Sequence, residues 1–419
     1  DNVLWKGDVT DPNKNDRLTN VIREFNSFIK QDDRIEKTIF YYANQVYEYS
    51  FVRMIYCKIG GTFIVRKLNR KYRLKWHLRA SQRAKVNSPF FEELPAIVVK
   101  DVNKEHLNWP GILISNSNTV IKREKSACKV IFMGHGTGDK KYGGNAKDLE
   151  SFDYHFITGP KHMQKLHDLD VNIPEEKLIK IGNPRFDEIV NDDIDAEGYL
   201  DYLQVRDNTR KTILYAPTWK WGSGTLHKLG RHFCRELTKE YNLIIRPHYF
   251  DRKYIPQFKM WAKINGIQHV YFSNPANILS NDTMYDFVVS DLLISDTSSI
   301  TYEYLIMKKP IIIIENEFSD LHVMPSELNV KTIAGKYDHA HSNNILKVVQ
   351  TTLVSAAIET TGASLGTNDY DADTYSALLA STFTTLFSET MQRRLGVMDE
   401  EDYEILLETS VTSTLSDVI

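Results

Sequence analysis

The stretch LLISDTSSITYEYLIMKKPIIII, residues 292–314, decides the fold. An uncharged run reaches Ser295, hydroxyl residues follow Asp296, and an amphipathic segment closes before Pro310, where a second apolar run begins. Continuous β-branched runs of this kind are typical of parallel strands that helices cover on both faces. The stretch therefore predicts a strand, a helix and a second parallel strand, the repeating unit of a doubly wound α/β domain.

Apolar runs of the same kind recur in both halves of the chain and alternate with helical stretches. They are TIFYYA at 38, AIVVK at 96, GILIS at 111, KVIFM at 129, YHFITG at 154, TILYAP at 212, NLIIRPH at 242 and DLLIS at 291. Two such blocks indicate two doubly wound domains, with the boundary in the polar segment 191–211. We assign residues 1–200 to the first domain and 201–350 to the second.

Length and composition are those of a globular protein. The 419 residues suffice for two or three domains that each bury a core. No apolar run approaches the roughly 18 residues that span a bilayer, and we expect no export signal. The three cysteines lack CxxC spacing, which argues against a disulfide framework and a zinc site and favours a reducing cytosol.

Charge divides the chain unevenly. Residues 351–419 carry a net charge of -10, which leaves +7 for residues 1–350 of a chain whose total is -3. The basic body favours anionic partners such as nucleotides, phosphate polymers or acidic lipids. We expect the acidic end to form peripheral helices, and its Asp369, Asp371 and Asp373 lack the glycine and glutamate of a calcium loop.

The segment 66–85 stands out because it holds nine Lys or Arg residues and no acid. Three interpretations remain open. The segment is a solvated basic helix, an interfacial helix whose cations meet anionic lipids while Tyr72 and Trp76 lie at the headgroups, or a groove for a polyanionic acceptor.

Polar groups follow several of the predicted strands. Thr297, Ser298 and Ser299 lie at the start of a predicted helix, where unpaired backbone amides bind anions. The chain contains neither GxxxxGK[ST] nor GxGxxG, so this phosphate site is not a Walker or dinucleotide loop. A structural cap would need only one of the three hydroxyls.

Two further strand ends supply matching groups, Thr218 on one and Arg246 with His248 on the other. Because the carboxyl ends of parallel strands lie along one edge, these groups can converge on one ligand as a phosphoryl-transfer clamp. The alternatives are a surface ion pair for Arg246 and a helix cap for His248. His135, in VIFMGHGTGDKKYGG at 130–144, likewise follows an apolar run, and its alternative is a solvated or capping residue.

Six motifs together carry a resemblance to a known family. They are GHGTGDKK, FITGPKHMQKL, IPEEKLIKIGNPRFDEI, ILYAPTWK, LIIRPHY and LISDTSSITYEYLIMKKPIII. In order and spacing the chain resembles, over residues 111–315, the CDP-glycerol glycerophosphotransferase family of wall teichoic acid and capsule polymer synthesis. The resemblance implies a GT-B architecture of two Rossmann-like domains, with the acceptor mainly on the first domain, the nucleotide on the second, and the active site in the cleft between them.

The resemblance also implies a reaction in which an acceptor hydroxyl attacks the β-phosphorus of a CDP-polyol and CMP leaves. The donor is CDP-glycerol or CDP-ribitol, with glycerol favoured, and the acceptor is a polyol-phosphate or lipid-linked glycan. The enzyme would act in the cytoplasm, peripherally at the inner face of the cell membrane. We expect no cofactor, no metal and no nucleic-acid partner.

By the same resemblance, His135 with Gly136 faces the cleft from the first domain and His248 from the second. An imidazole has the unperturbed pKa that a base needs near pH 7, so we assign that role to His135. The donor and its leaving phosphate are assigned to His248, Arg246, Thr218, Asp296, Thr297, Ser298 and Ser299. Glu303 is expected to hold ribose hydroxyls.

Arg185 and Asp187 are expected to shape the cleft or reach the phosphates, or alternatively to pair with each other. Gly138 stands where the family pattern has proline, and one extra residue precedes the lysine pair, so we expect a different loop shape after His135. Two other functions stay open: a GT-B glycosyltransferase or epimerase that uses a nucleotide sugar, and a non-catalytic polyanion-binding protein.

Overall fold

Two parallel sheets frame the protein in the computed structural model. The structure describes residues 39–43, 45–59, 61–83, 96–98, 111–123, 128–136, 138–220, 223–278, 281–315, 329–341 and 344–360. Most of the acidic extension, including its three aspartates, lies outside these ranges, as do residues 1–38 and the end of the basic segment at Lys85.

The strands β1 to β7 form the first sheet and β8 to β13 the second. In chain order they are Ile39–Tyr42, Thr62–Val65, Ala96–Val98, Gly111–Ser115, Cys128–Phe132, Tyr154–Ile157, Leu178–Lys180, Thr212–Tyr215, Asn242–Ile245, Val270–Phe272, Leu292–Ser295, Ile311–Ile314 and Gly335–Tyr337.

The helices α1 to α10 flank the two sheets. In chain order they are Tyr49–Ile59, Leu68–Arg83, Pro160–Asp168, Asp187–Val190, Ala196–Leu203, Leu226–Leu237, Ile255–Ile264, Thr283–Val289, Ile300–Glu303 and Ile345–Thr360. Short 3₁₀ turns cover Val46–Glu48, Ala146–Ser151, Glu175–Lys177, Pro184–Phe186, Tyr249–Tyr254, Tyr304–Met307 and Val330–Thr332.

Both sheets have the doubly wound topology. The first runs β3-β2-β1-β4-β5-β6-β7 and the second β10-β9-β8-β11-β12-β13, with every neighbouring pair parallel. The strand order therefore reverses between β1 and β4 in one sheet and between β8 and β11 in the other. Crevices for ligands form at these reversals, outside the carboxyl ends of the strands. The predicted α/β class with two doubly wound sheets is confirmed.

Some side chains that precede residue 201, where the second domain is expected to begin, already pack on the second sheet. Phe186 and Tyr199 are buried in the cluster of the second sheet, with Leu214 and Ile244. Helices α4 and α5 thus cover the second sheet although α4 and the start of α5 precede residue 201. The helix α10 also runs across the expected boundary at residue 350, because its Ile345 and later apolar side chains pack on the second sheet.

The two halves share buried contacts. Tyr249, Ala276 and Ile278 of the second half join the apolar cluster beneath the first sheet. Arg53 of α1 forms a buried ion pair with Glu188 of α4. These contacts hold the carboxyl edges of the two sheets against each other.

The basic helix α2 presents its large apolar side chains to solvent. Leu68, Tyr72 and Trp76 are 55, 62 and 65 % exposed, whereas Leu74 is buried. The spacing of four residues places the exposed three on one face of the helix. Within the described ranges, no helix is long and apolar enough to cross a membrane.

Candidate active site

The carboxyl ends of both sheets open onto one cleft of about 690 Å³. Nine residues that the sequence analysis singled out line it: His135, Gly136, Arg185, Thr218, Arg246, His248, Ser298, Ser299 and Glu303. They come from separate strand ends and meet because the two sheets face each other across the cleft.

His135 is exposed in the cleft, and one of its ring nitrogens is held in place. Its Nδ1 lies 2.8 Å from the backbone carbonyl of Asn116, the residue that follows β4. A carbonyl oxygen only accepts, so Nδ1 carries the proton and donates. The neutral imidazole then leaves Nε2 as a proton acceptor, which is the form that a general base requires.

His248 has the opposite arrangement. The backbone amide of Phe250 donates to its Nδ1 at 3.3 Å, so the proton of the neutral ring lies on Nε2. Burial, followed by the neighbouring Lys140, His135 and Arg246, lowers the pKa of His248 to about 3. His248 is therefore neutral at pH 7 and offers a hydrogen-bond donor. The cap offered as its alternative is present, because Nδ1 caps a 3₁₀ turn, and the ring also lines the cleft. A role in phosphoryl transfer stays a prediction.

Aromatic rings pack around the two imidazoles. The ring of Tyr47 lies 5.9 Å from that of His135 and 6.3 Å from that of His248. Trp219 stacks on His248 with ring centroids 6.1 Å apart. Tyr47 belongs to no recognisable motif, so its place between the histidines could not be predicted from the sequence.

Arg246 is anchored from behind. One terminal nitrogen donates to the hydroxyl of Ser273 (2.8 Å), the carbonyl of Asn281 (2.7 Å) and the carboxylate of Asp286 (2.8 Å). Arg246 thus forms an ion pair with Asp286, but the pair is buried and is not the surface ion pair offered as the alternative. The same pair orients the guanidinium, which lines the cleft.

Arg185 lies between two carboxylates of the second half. It donates to Glu303 at 2.8 Å and to Asp282 at 2.9 Å. Burial raises the pKa of Glu303 despite the guanidinium of Arg185. At Asp282 burial acts in the same direction, but Arg185, Arg53 and Arg246 outweigh it and hold the pKa well below its usual range. Asp282 is therefore the firmly charged partner.

Three predicted site residues, Asp187, Asp296 and Thr297, are buried and do not line the cleft. Asp296 accepts hydrogen bonds from the backbone amides of Thr218 (2.8 Å) and Thr225 (3.1 Å). Burial raises the pKa of Asp296 and these donors oppose the rise. Any effect of Asp296 on a ligand therefore acts through the Thr218 loop that it holds.

Ser298 and Ser299 line the cleft at the start of a helix that is shorter than expected. The helix α9 has four residues, and a 3₁₀ turn continues the chain before Pro310. Ser299 is the N-cap residue, and its side chain makes no capping hydrogen bond. The loop after His135 lies directly on this helix start, because a Cβ on Gly138 would be 2.8 Å from the Cα of Ser299. A proline at position 138 would therefore clash with Ser299 unless the loop or the helix start shifted.

The lysines after Gly138 also reach the second half. The ammonium of Lys140 donates to the Thr218 hydroxyl, and burial lowers its pKa while Asp296 opposes the shift. Lys141 lines the cleft.

No group of three or more His, Cys, Asp or Glu side chains is placed to hold a metal ion within the described ranges, and the expected absence of a metal stays a prediction.

Comparison with known proteins gives the family of the chain. A family model described as CDP-Glycerol:Poly(glycerophosphate) glycerophosphotransferase matches residues 63–322, and a model of an O-methyltransferase family matches residues 1–46. The teichoic acid poly(glycerol phosphate) polymerase of Staphylococcus epidermidis is 29% identical over 233 residues, 52% of this chain and 29% of the polymerase. The teichoic acid glycerol-phosphate primase of Bacillus subtilis is 25% identical over 272 residues, 58% of this chain and 67% of the primase.

The chain thus spans less than a third of the polymerase that it matches. Among solved structures, a variant of the wall teichoic acid polymerase TagF aligns with a TM-score of 0.56 at 18% identity, covering 94% of this chain and 95% of the aligned one. That likeness concerns the fold. With the family model matching more than half of the residues, the chain belongs to the CDP-glycerol glycerophosphotransferase family.

Proposed function

We propose that the chain transfers glycerol phosphate from CDP-glycerol to a hydroxyl of a polyol-phosphate acceptor, with release of CMP. The observation that carries the proposal is the pair of imidazoles in one cleft, His135 with a basic Nε2 and His248 with a donating one. The family description names the same donor and a poly(glycerophosphate) acceptor.

In the first half of the reaction, the acceptor oxygen forms a bond to the β-phosphorus of the donor. The hydroxyl proton passes to Nε2 of His135 as the bond forms. A positioned base of this kind contributes about 10² to 10⁴ in rate. The hydrogen bond from Nδ1 to the Asn116 carbonyl stabilises the imidazolium that results.

In the second stage of the reaction, the bond between the β-phosphorus and the oxygen bridging to CMP breaks, and the electron pair stays on the CMP phosphate. Fixed donors that meet this charge without reorganising are worth most in a site shielded from water. We assign the stabilisation of this charge to four groups from the second half of the chain: His248, Arg246, Ser298 and Ser299. Thr218 would act together with Lys140, which donates to its hydroxyl.

The Arg185–Glu303 pair is proposed to orient the rest of the donor. Arg185 engages one oxygen of Glu303, and the other oxygen lies 3.4 Å from the position of a Cβ on Gly136, at the cleft wall. That second oxygen could accept hydrogen bonds from ribose hydroxyls.

We also propose that the enzyme acts at the cytoplasmic face of the membrane on a lipid-linked acceptor. The support is the exposed apolar face of α2, defined by Leu68, Tyr72 and Trp76, on a helix without acidic residues. Aromatic and basic side chains on one helix are typical of interfacial attachment.

The proposal is tested by offering CDP-glycerol, CDP-ribitol and a UDP-sugar with a synthetic polyol-phosphate acceptor and identifying the products by mass. We expect CMP and an acceptor longer by one glycerol phosphate. A product from the UDP-sugar alone would establish glycosyl transfer instead. Absence of any product, with nucleotide binding also absent, would favour a polyanion-binding protein.

A further inference from the structure

A buried lysine in the cleft lacks an anionic partner. Lys165 of α3 is 8 % exposed and lines the cleft. Its ammonium has no hydrogen bond or ion pair within the ranges that the structure describes, and lies 4.3 Å over the ring of Tyr142. Its neighbour Lys161 differs, because it donates to Asp139 at 2.7 Å. A buried ammonium that no carboxylate contacts directly is costly, so its place at a cavity wall points to an anion from outside the chain.

The surroundings of Lys165 suit a phosphate group. The ring of Tyr142 packs edge-on against Phe132, which fixes the floor of this part of the cleft. Gly143 and Gly144 line the same cleft, and no heavy atom lies within 4 Å of where their Cβ atoms would be. Backbone thus borders the cavity with open space for a ligand.

The position of Lys165 relative to the histidines decides which phosphate it meets. Lys165 and Tyr142 lie on the first-sheet side of the cleft, as does His135. The groups assigned to the leaving phosphate, His248, Arg246, Ser298 and Ser299, follow strands of the second sheet. An acceptor hydroxyl that gives its proton to His135 opposite the donor must approach from the first-sheet side. We propose that Lys165 and Tyr142 form a subsite for a phosphate group of the acceptor chain, which rests on the proposed transfer reaction.

The charge state of Lys165 supports the same subsite. Burial lowers its pKa to about 8, with Lys161 and Lys140 adding to the effect and Asp139 opposing it. The neutral His162 also lies nearby, its pKa lowered to about 3 by burial and then by Lys165. A bound phosphate would favour the ammonium form, so phosphate binding takes up a proton and weakens as the pH rises above 8.

The experiment compares Lys165→Met with the parent on two acceptors of similar length: glycerophosphoglycerol, which carries a phosphodiester, and diglycerol, which carries no charge. We expect KM for the phosphodiester to rise about 10- to 100-fold, the range for a lost charge-assisted hydrogen bond. KM for CDP-glycerol and the rate with diglycerol should stay unchanged. Lys165→Arg, which keeps the charge, should restore much of the affinity.

The control is Lys147→Met, since Lys147 is an exposed lysine of the same half and pairs with Asp170. An unchanged KM for the phosphodiester, or a rise in KM for CDP-glycerol alone, would overturn the subsite. Calorimetric titration with glycerol 3-phosphate at pH 7 and pH 9 tests binding without turnover. If the parent proves inactive, the proposed function fails. The subsite would then be tested by binding alone: weaker glycerol 3-phosphate binding by Lys165→Met would support it, and binding equal to that of the parent would refute it.

Discussion

The two cleft histidines are both held by the backbone at Nδ1, but one backbone group accepts a hydrogen bond and the other donates one. The Asn116 carbonyl engages Nδ1 of His135, and the Phe250 amide engages Nδ1 of His248. Because the carbonyl accepts, the proton of neutral His135 lies on Nδ1 and its Nε2 is an acceptor. Because the amide donates, the proton of neutral His248 lies on Nε2, which is therefore a donor. The motifs predict both histidines at strand ends, but not these partners. Asn116 reaches His135 only because β4 and β5 are adjacent in the sheet.

At the residue scale, His135→Gln should lower kcat by about 10² to 10⁴, because the amide cannot accept the acceptor proton as a base. The dissociation constant for CDP-glycerol should change little, since donor binding is assigned to the second half. Single-turnover kinetics and nucleotide titration measure the two quantities. The matched control is His167→Gln, because His167 is 90 % exposed at the end of α3. Near-parental turnover by His135→Gln would show that His135 is not the general base.

The second residue-scale prediction concerns protonation of His248. Its lowered pKa of about 3 keeps the ring neutral in the free enzyme from pH 8 down to pH 5. The CMP phosphate placed beside it should raise that pKa, because a nearby anion favours the imidazolium. Nitrogen-15 NMR of labelled histidine, assigned with a His248→Asn variant, measures both states. Titration of His248 near pH 6.5 without ligand would contradict the buried, neutral ring.

At the scale of elements, the apolar runs predict most strands of both sheets. The predicted runs do not include the strands β2, β7, β10 and β13, although TFIV of β2 is itself apolar. Each has only three or four residues, and the last three lie at sheet edges. A short edge strand pairs on one side only, so its sequence need not be continuously apolar. Helix α5 lies within the polar segment 191–211 that is predicted to be the domain boundary, yet its Tyr199 packs in the second core.

The basic helix α2 yields a prediction of its own. Reversing Lys71, Arg73 and Lys75 to Glu should release the protein from anionic liposomes, because each cation contributes roughly 1 kcal/mol near such a surface. Arg70 is left intact because it donates to Gln45 at 2.8 Å. Attachment of the parent should also weaken as salt shortens the screening length below about 8 Å.

Turnover on a soluble acceptor should remain intact in this triple variant, as measured by CMP release. The control reverses the exposed Lys211, Lys228 and Lys263 of the second half. Lost turnover with unchanged liposome binding would make α2 part of an acceptor groove. If neither property changed, α2 would be a solvated surface helix.

At the scale of the whole molecule, the loop after His135 joins the two halves. Asp139 accepts from Lys161 of the first half (2.7 Å) and from the Tyr302 hydroxyl of the second (2.9 Å), and all three groups are at least half-buried. Lys140 donates to Thr218 in the same region. The position of His135 relative to the donor groups therefore depends on contact between the halves, which no single motif encodes.

Gly138→Ala tests that dependence. The added methyl group would lie 2.8 Å from the Cα and Cβ of Ser299, a distance that forces the loop and the start of α9 apart. Each sheet keeps its own core, so the melting temperature should change little, whereas kcat/KM should fall about 10²-fold, as expected for a displacement of about 1 Å at a reacting centre.

The control is Gly143→Ala, where no heavy atom lies within 4 Å of the new Cβ, and where we expect parental kinetics and stability. Small-angle scattering should show a larger radius of gyration for Gly138→Ala alone if the halves separate. Parental kcat/KM in Gly138→Ala would mean that the loop can move without displacing His135, and that the contact with Ser299 does not set the geometry of the cleft.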